Sequence, residues 1–232
     1  MKKTLSFLIL FVATLIFAQE AKEGKWVLKL NATQLLDFAT FPTVQFSVER
    51  KLNPYFSINT EAGFQVYDLH KVDSTVLKSR GFKTNLEGRF YISKFFHKRT
   101  KSNRNEPFVG LQFFYRKDQT TDVLFYYDKS NVQNNYLENI YRDYFGLKTT
   151  ALGVNITLGN QFSFGKSKKF ILEPYGGFGF LNRKIKNTHL QFDETKHEID
   201  SENQDLFRNN NLEKYSGRDG NVFFGLRIGY VL

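Results

Sequence analysis

The chain has no cysteine among its 232 residues, which excludes a disulfide framework and any thiolate metal site. Proline is scarce at four residues, so few positions are barred from a hydrogen-bonded ladder by a missing N–H. Long apolar runs are lacking too, apart from Leu5–Phe17 in MKKTLSFLILFVATLIFAQE. That run is 13 residues, short of the about 20 that a membrane-crossing helix needs. With Lys2 and Lys3 ahead of it and Ala18-Gln19 behind, it reads as a secretory signal peptide over residues 1–18, leaving 19–232 as the mature chain. Ile16 is larger than the small residue usual three positions before such a cut. The residue after the cut is not cysteine, so a lipid anchor is not expected.

Aromatic and basic residues are abundant: 26 Phe, 12 Tyr and a net charge of +10. A basic chain raises the question of nucleic acid, but export argues against that partner, and no nucleic acid is expected. Period-two alternation recurs along the chain. In YFSINTEAGFQVY, Phe56, Ile58, Ala62, Phe64 and Val66 alternate with Ser57, Asn59, Glu61, Gly63 and Gln65. In FKTNLEGRFYIS, Phe82, Leu86, Phe90 and Ile92 alternate with Lys83, Asn85, Glu87, Arg89 and Tyr91. Such alternation fits strands and no helix. Eight strands are predicted, over 25–36, 42–51, 55–67, 81–95, 107–127, 144–164, 170–183 and 220–232. Pro174 inside the seventh marks a bulge or a fault in the assignment.

The connections alternate in length. Asn53-Pro54, 97–106 and 165–169 are short, whereas 68–80, 128–143 and 184–219 are long; the first connection on the long side, near 37–41, is the one short exception. Short turns at one end and long loops at the other is the pattern of outer-membrane barrels, with both termini in the periplasm. Loop 184–219 is polar and reads as mobile. Alternation alone does not separate this arrangement from a soluble lipid-binding barrel, which has the same pattern with its faces exchanged. The polar face decides it. It is rich in Gly, Ser, Asn and Thr with charges of both signs, which suits the narrow interior of an eight-stranded barrel better than a Lys- and Glu-coated surface. The final segment NVFFGLRIGYVL runs as a strand up to Leu232, as closure against the first strand requires. The expected fold is an all-β, eight-stranded, up-and-down antiparallel transmembrane β-barrel.

On that fold Arg227 points into the lumen, with Gly225 and Gly229 leaving room beside it. A polar network is expected there from Lys29, Glu49, Glu61, Lys83, Glu87, Arg89, Glu173 and Arg227, because buried charges must pair. Such a network closes the lumen to ions; the alternative is a scattered set of partly hydrated charges. Three short connections carry the basic excess: Lys98, Arg99, Lys101 and Arg104; Lys166, Lys168 and Lys169; and Arg50 with Lys51. They face anionic lipid headgroups, the cell wall, or merely water as soluble caps.

The segments GKWVLKLNAT, VQFSVERKLNPYFSINTEAGF, PFVGLQFFYRKD, FILEPYGGFGFLNRKIK and FFGLRIGYVL resemble the small outer-membrane barrels of the OmpA-transmembrane and OmpX type. More closely, the chain resembles a domain-of-unknown-function family of such barrels from Gram-negative bacteria. The resemblance covers the strands, about half the chain, and brings no catalytic motif. The ending, with Gly225, Ile228, Tyr230 and Leu232, also resembles the signal read by the barrel-assembly machinery, though it finishes on Leu rather than Phe or Trp. The expected function is non-enzymatic support of the envelope with surface loops for interaction or adhesion. The expected partners are outer-membrane lipids, the assembly machinery during biogenesis, and a surface partner through loops 128–143 and 184–219.

The alternative is a lipid-modifying enzyme. His70 lies near Asp73 and Ser74, and His189 and His197 share a loop with Asp193, Glu194 and Glu198. A catalytic set must converge in space, and nearby letters do not establish that. No fixed metal-ligand spacing appears, and no cofactor is expected. Tyr126, Tyr127, Tyr141 and Tyr144 read as girdle or strand extension, with an adhesive surface as the other possibility.

Overall fold

The computed structural model describes residues 26–37, 40–68, 74–92, 104–131, 140–200 and 211–232. Its strands are β1 (Trp26–Asn31), β2 (Val44–Lys51), β3 (Phe56–Phe64), β4 (Arg80–Tyr91), β5 (Asn105–Asp128), β6 (Tyr141–Phe164), β7 (Phe170–Thr188), β8 (His197–Ile199) and β9 (Gly217–Val231). Every neighbouring pair from β1 to β7 is antiparallel, β7 pairs with β9, and β9 returns to β1 from Val27↔Val231 to Asn31↔Arg227. Eight strands therefore form a closed barrel. β8 stands outside the ring, paired with the end of β5 through Tyr126↔Ile199.

Four details depart from the sequence expectation. β1 stops at Asn31 instead of continuing to residue 36, because Ala32 adopts right-handed helical angles and Thr33–Leu36 forms a 3₁₀ turn. Leu226 caps this exit: its carbonyl accepts from the Ala32 N–H at 2.8 Å and its N–H donates to Thr33 Oγ1 at 3.2 Å. Secondly, β8 was not foreseen. Thirdly, β5, β6 and β7 extend further at the end that carries the long connections (the loop end). Fourthly, Pro174 makes no bulge. The register is the same at Gly159↔Tyr175 and Phe162↔Leu172, with only the rungs between them missing. Leu226, opposite Pro174, spends both backbone groups on the β1 side. The absent donor of Pro174 thus faces β6, where the ladder breaks.

Burial shows which face is inside. Phe46, Phe64, Leu111, Phe113, Leu152, Leu158, Phe178 and Phe224 are exposed on the outer wall, whereas Glu49, Asn59, Glu61, Glu87, Arg89, Thr157, Glu173 and Arg227 are buried in the lumen. A soluble lipid-binding barrel turns its Phe-rich face inward; here that face looks outward, and only lipid makes such a wall stable.

The polarity then exchanges along the same strands. Beyond Phe180 the outer positions of β7 become Asn182, Lys184 and Lys186, while Leu181 and Ile185 flank Arg183 at its inner positions. In β5 and β6 the inner positions Leu124, Tyr126, Phe145 and Leu147 form a small apolar core with Ile185 and Leu212, covered by Leu190, Phe192 and Ile199. Inverted below and conventional above, the wall marks where bilayer gives way to water.

Candidate functional site

Seven of the eight charges expected in the lumen meet in one cluster. Glu173 on β7 is its hub. It takes a two-pronged interaction from Arg89, with Nη1 and Nη2 each at 3.0 Å from separate carboxylate oxygens, and Arg227 Nη1 adds a third at 2.8 Å. Lys29 Nζ donates to Glu173 and to Glu49 Oε2, the latter at 2.5 Å. Glu61 accepts from Arg227 Nη2 at 2.8 Å, and Glu87 from Arg89 Nη2 at 2.7 Å. All seven side chains are fully shielded from solvent. Forked guanidinium–carboxylate geometry is the strongest form of this contact, and burial without pairing costs several kcal/mol per ion.

Neutral groups complete the cluster, and sequence reasoning missed them. Gln161 Nε2 donates to Glu49 at 2.6 Å and to Glu173 at 2.9 Å; Tyr91 donates to Glu49; Thr157 donates to Glu87 at 2.5 Å; Asn31 donates to Glu61 at 2.6 Å. Each sits at lumen parity on its strand, so parity extended to uncharged residues was the available signal. The Arg227 guanidinium lies 3.7 Å from the centre of the Tyr175 ring, and that of Arg89 lies 4.4 Å from the Phe108 ring. The two glycines flanking Arg227 make room for its neighbours: a Cβ on Gly225 meets Tyr175 Cζ at 2.4 Å, and one on Gly229 meets Lys29 Cγ at 2.8 Å.

Lys83 departs from the expectation. It sits nearer the loop end, donating to Asp37 Oδ2 at 2.7 Å, to Gln34 at 2.8 Å and to the Phe41 carbonyl at 2.6 Å. The sequence places Asp37 in a connection, where nothing marks it as a partner. Above the cluster the lumen opens into a cavity of about 960 Å³ lined by Lys83, Arg116, Asp118, Asn155, Arg183 and Asn221, among others. A relay crosses its wall: Arg116 donates to Asn221 at 3.1 Å, Asn221 to Asn155 at 2.8 Å, and Asn155 to Gln112 at 2.8 Å. The lumen is thus a vestibule with a charged floor.

At the opposite, turn end, Arg104, Lys166, Lys168 and Lys169 are exposed; Lys98, Arg99 and Lys101 lie outside the described residues. Lys169 lies over the Tyr230 ring at 5.4 Å and Arg50 over Trp26 at 5.2 Å. Lys51 is not a free charge, because it pairs with Glu106. Of the four terminal residues, Ile228, Tyr230 and Leu232 are exposed on the outer wall, while Gly225 faces the lumen against Tyr175.

Where it is described, the long loop packs against the ends of the strands. His197 packs against Tyr126 and Phe192, with ring centres 4.6 and 6.0 Å away, and its Nδ1 accepts from the Asp193 N–H at 3.0 Å. The Thr195 hydroxyl and N–H hold the Asp193 carboxyl below its usual range. His197 therefore serves the loop's own fold, and Tyr126 and Tyr141 belong to strand extensions. His70 lies outside the described residues, and His189 is exposed. Among the described residues no cluster of His, Asp and Glu could hold a metal ion.

An apolar outer wall closed around a paired polar lumen defines an integral membrane β-barrel. The sequence profile of the family described as "Protein of unknown function (DUF3575)" matches residues 6–217, and the chain belongs to that family. No curated protein matches the chain. Solved structures similar to it include two outer-membrane proteins. One is a major outer membrane protein from Thermus thermophilus, at 11% identity and a TM-score of 0.45, covering 90% of this chain and 99% of that one. The other is Acinetobacter baumannii CarO, at 12% identity and a TM-score of 0.42, covering 92% of this chain and 100% of that one.

Proposed function

We propose that the protein is a non-enzymatic barrel of the bacterial outer membrane, closed to ions, whose role is carried by folded segments beyond the bilayer. The observation that carries this reading is the apolar core that inner positions of β5, β6 and β7 build beyond the lipid-facing wall. A wall used solely as scaffold has no need of such a core, whereas loops that carry function need a rigid support. The seven-charge cluster leaves no continuous water path in this reading, so transport of ions is not its work. The segments 128–143 and 184–219 present the interaction surface, the short turns and both termini lie in the periplasm, and Ile228, Tyr230 and Leu232 offer an outward face to the assembly machinery. Lipid modification has less support, because His197 is engaged in packing. An unchanged lipid A profile after substituting His70 and His189 counts against it.

The test is topological. The chain has no cysteine, so Ser201→Cys and Ser102→Cys each introduce a single thiol into intact cells. A membrane-impermeant maleimide is expected to label position 201 and to reach position 102 only after lysis. Labelling at 102 alone reverses the orientation, and labelling at neither places the protein behind the outer membrane.

A further inference from the structure

A row of cations runs along the outer wall of β4 to β7 and β9 where its apolar band ends at the loop end. Arg80 on β4, Lys117 on β5, Lys148 on β6, Lys184 and Lys186 on β7, and Arg218 on β9 all occupy outward parity and are exposed. Register makes them one patch. Lys148 is the direct cross-strand partner of Lys186, and Thr150 joins Lys117 on one side to Lys184 on the other. Asn182, next along the outer face from Lys184, pairs with Arg218. Directly opposed side chains stand about 5 Å apart at Cβ, where like charges destabilise a sheet. Among the described residues none of these six has an ion-pair partner. An aqueous surface mixes both signs, but Asp118 and Asp219 sit at inward parity, and Glu213, near Lys186, accepts from the Asn187 N–H at 2.8 Å. Among the described residues the row is uncompensated, and anions from outside the protein would balance it.

Height identifies the anion. Immediately below the row, Tyr115, Leu152, Phe180 and Val222 face outward, with Phe180 78% and Val222 84% exposed. A ligand that satisfies both zones has acyl chains for the wall and phosphate at the level of the lysines. We propose that this row is a binding site for the phosphorylated headgroup of a lipid in the leaflet at the loop end, with Lys148 and Lys186 sharing one phosphate and Lys117 and Lys184 reaching the next. This site lies at the opposite end of the barrel from the basic turns.

The test uses the whole purified barrel in a neutral detergent, so it does not depend on orientation in the cell. Lipid A is titrated against the unmodified chain and against Lys148→Gln/Lys186→Gln. Its dephosphorylated form and inorganic phosphate serve as the other probes. At least tenfold weaker retention of lipid A by the double variant is expected, with binding restored by Lys148→Arg/Lys186→Arg. A similar loss is expected when the unmodified chain meets the dephosphorylated lipid. Lys166→Gln/Lys168→Gln, at the turn end, should bind as the unmodified chain does. Equal retention by the Gln variant, or equal binding of the dephosphorylated lipid, overturns the proposal. Displacement of the lipid by equimolar inorganic phosphate overturns it in favour of a site for soluble anions.

Discussion

Glu173 answers three cations at once, and that makes it the hub whose removal tests the lumen cluster. Removing its carboxylate leaves Lys29, Arg89 and Arg227 sharing Glu49, Glu61 and Glu87. The charges left behind balance, three cations against three carboxylates, so the cost comes from the charged N–H donors that lose an acceptor in the lumen, about 1–3 kcal/mol or somewhat more. Glu173→Ala is therefore expected to lower the urea midpoint of the barrel in lipid by that order, with Glu106→Ala as a nearly silent comparison on a partly exposed pair. A loss under about 1 kcal/mol would mean that water reaches the cluster and replaces the carboxylate. Gly225 tests packing instead of charge. Its missing Cβ lets the Tyr175 ring lie against β9 and hold the Arg227 guanidinium on its face. Gly225→Ala forces that ring aside, and overpacking of this kind costs about 1–3 kcal/mol. The loss should shrink in a Tyr175→Val background; strict additivity of the two changes would show that the contact is not the cause.

At the scale of elements, the loop-end core is a separable unit. Leu212 is buried against β5, β6 and β7 at the edge of the short turn Glu213–Tyr215. Leu212→Asp places a charge among apolar side chains, and the covering segment 189–200 should detach while the barrel below stays closed. Limited trypsin digestion is expected to cut after Lys196 in this variant far faster than in the unmodified chain, leaving strand content by circular dichroism almost unchanged. Loss of the whole barrel signal would show that core and wall fold as one. The same region shows what the sequence made legible. The eight strands and the common face of the lumen charges are legible in period-two alternation, because parity sorts residues onto two faces; connection lengths give the order, and the small, mixed-charge composition says which face is inside. The loop-end core keeps the parity and reverses the polarity, so Leu124 and Phe145 look like more wall when read by letters. β8 spans three residues, too few for a period. Lys83 was drawn into the cluster because parity gives the face of a residue and not its height, and its true partner, Asp37, comes from a connection with no pattern at all.

For the whole molecule the decisive quantity is whether charge fills the lumen from wall to wall. An eight-stranded barrel is only wide enough for side chains to fill, and this one divides its interior between a charged cluster and an open vestibule of about 960 Å³. The barrel in planar bilayers is accordingly expected to show no resolved current steps. Opening it requires removing the large cations and the hub together, since any one of them leaves neighbours that relax into the gap. In Arg89→Ser/Arg227→Ser/Glu173→Ser the floor retains Lys29 against Glu49, Glu61 and Glu87, an excess of carboxylates. If the triple variant folds, the vestibule continues into the turn-end half and discrete steps appear. Their reversal potential in a salt gradient should lie on the cation-selective side, because the remaining ring of charge is negative. Current through the unmodified chain would mean that the cluster is not a seal. Silence in the folded triple variant would place the barrier elsewhere, with Tyr91, Phe108 and Tyr175, which form a second buried apolar group in the lumen, as the remaining obstruction.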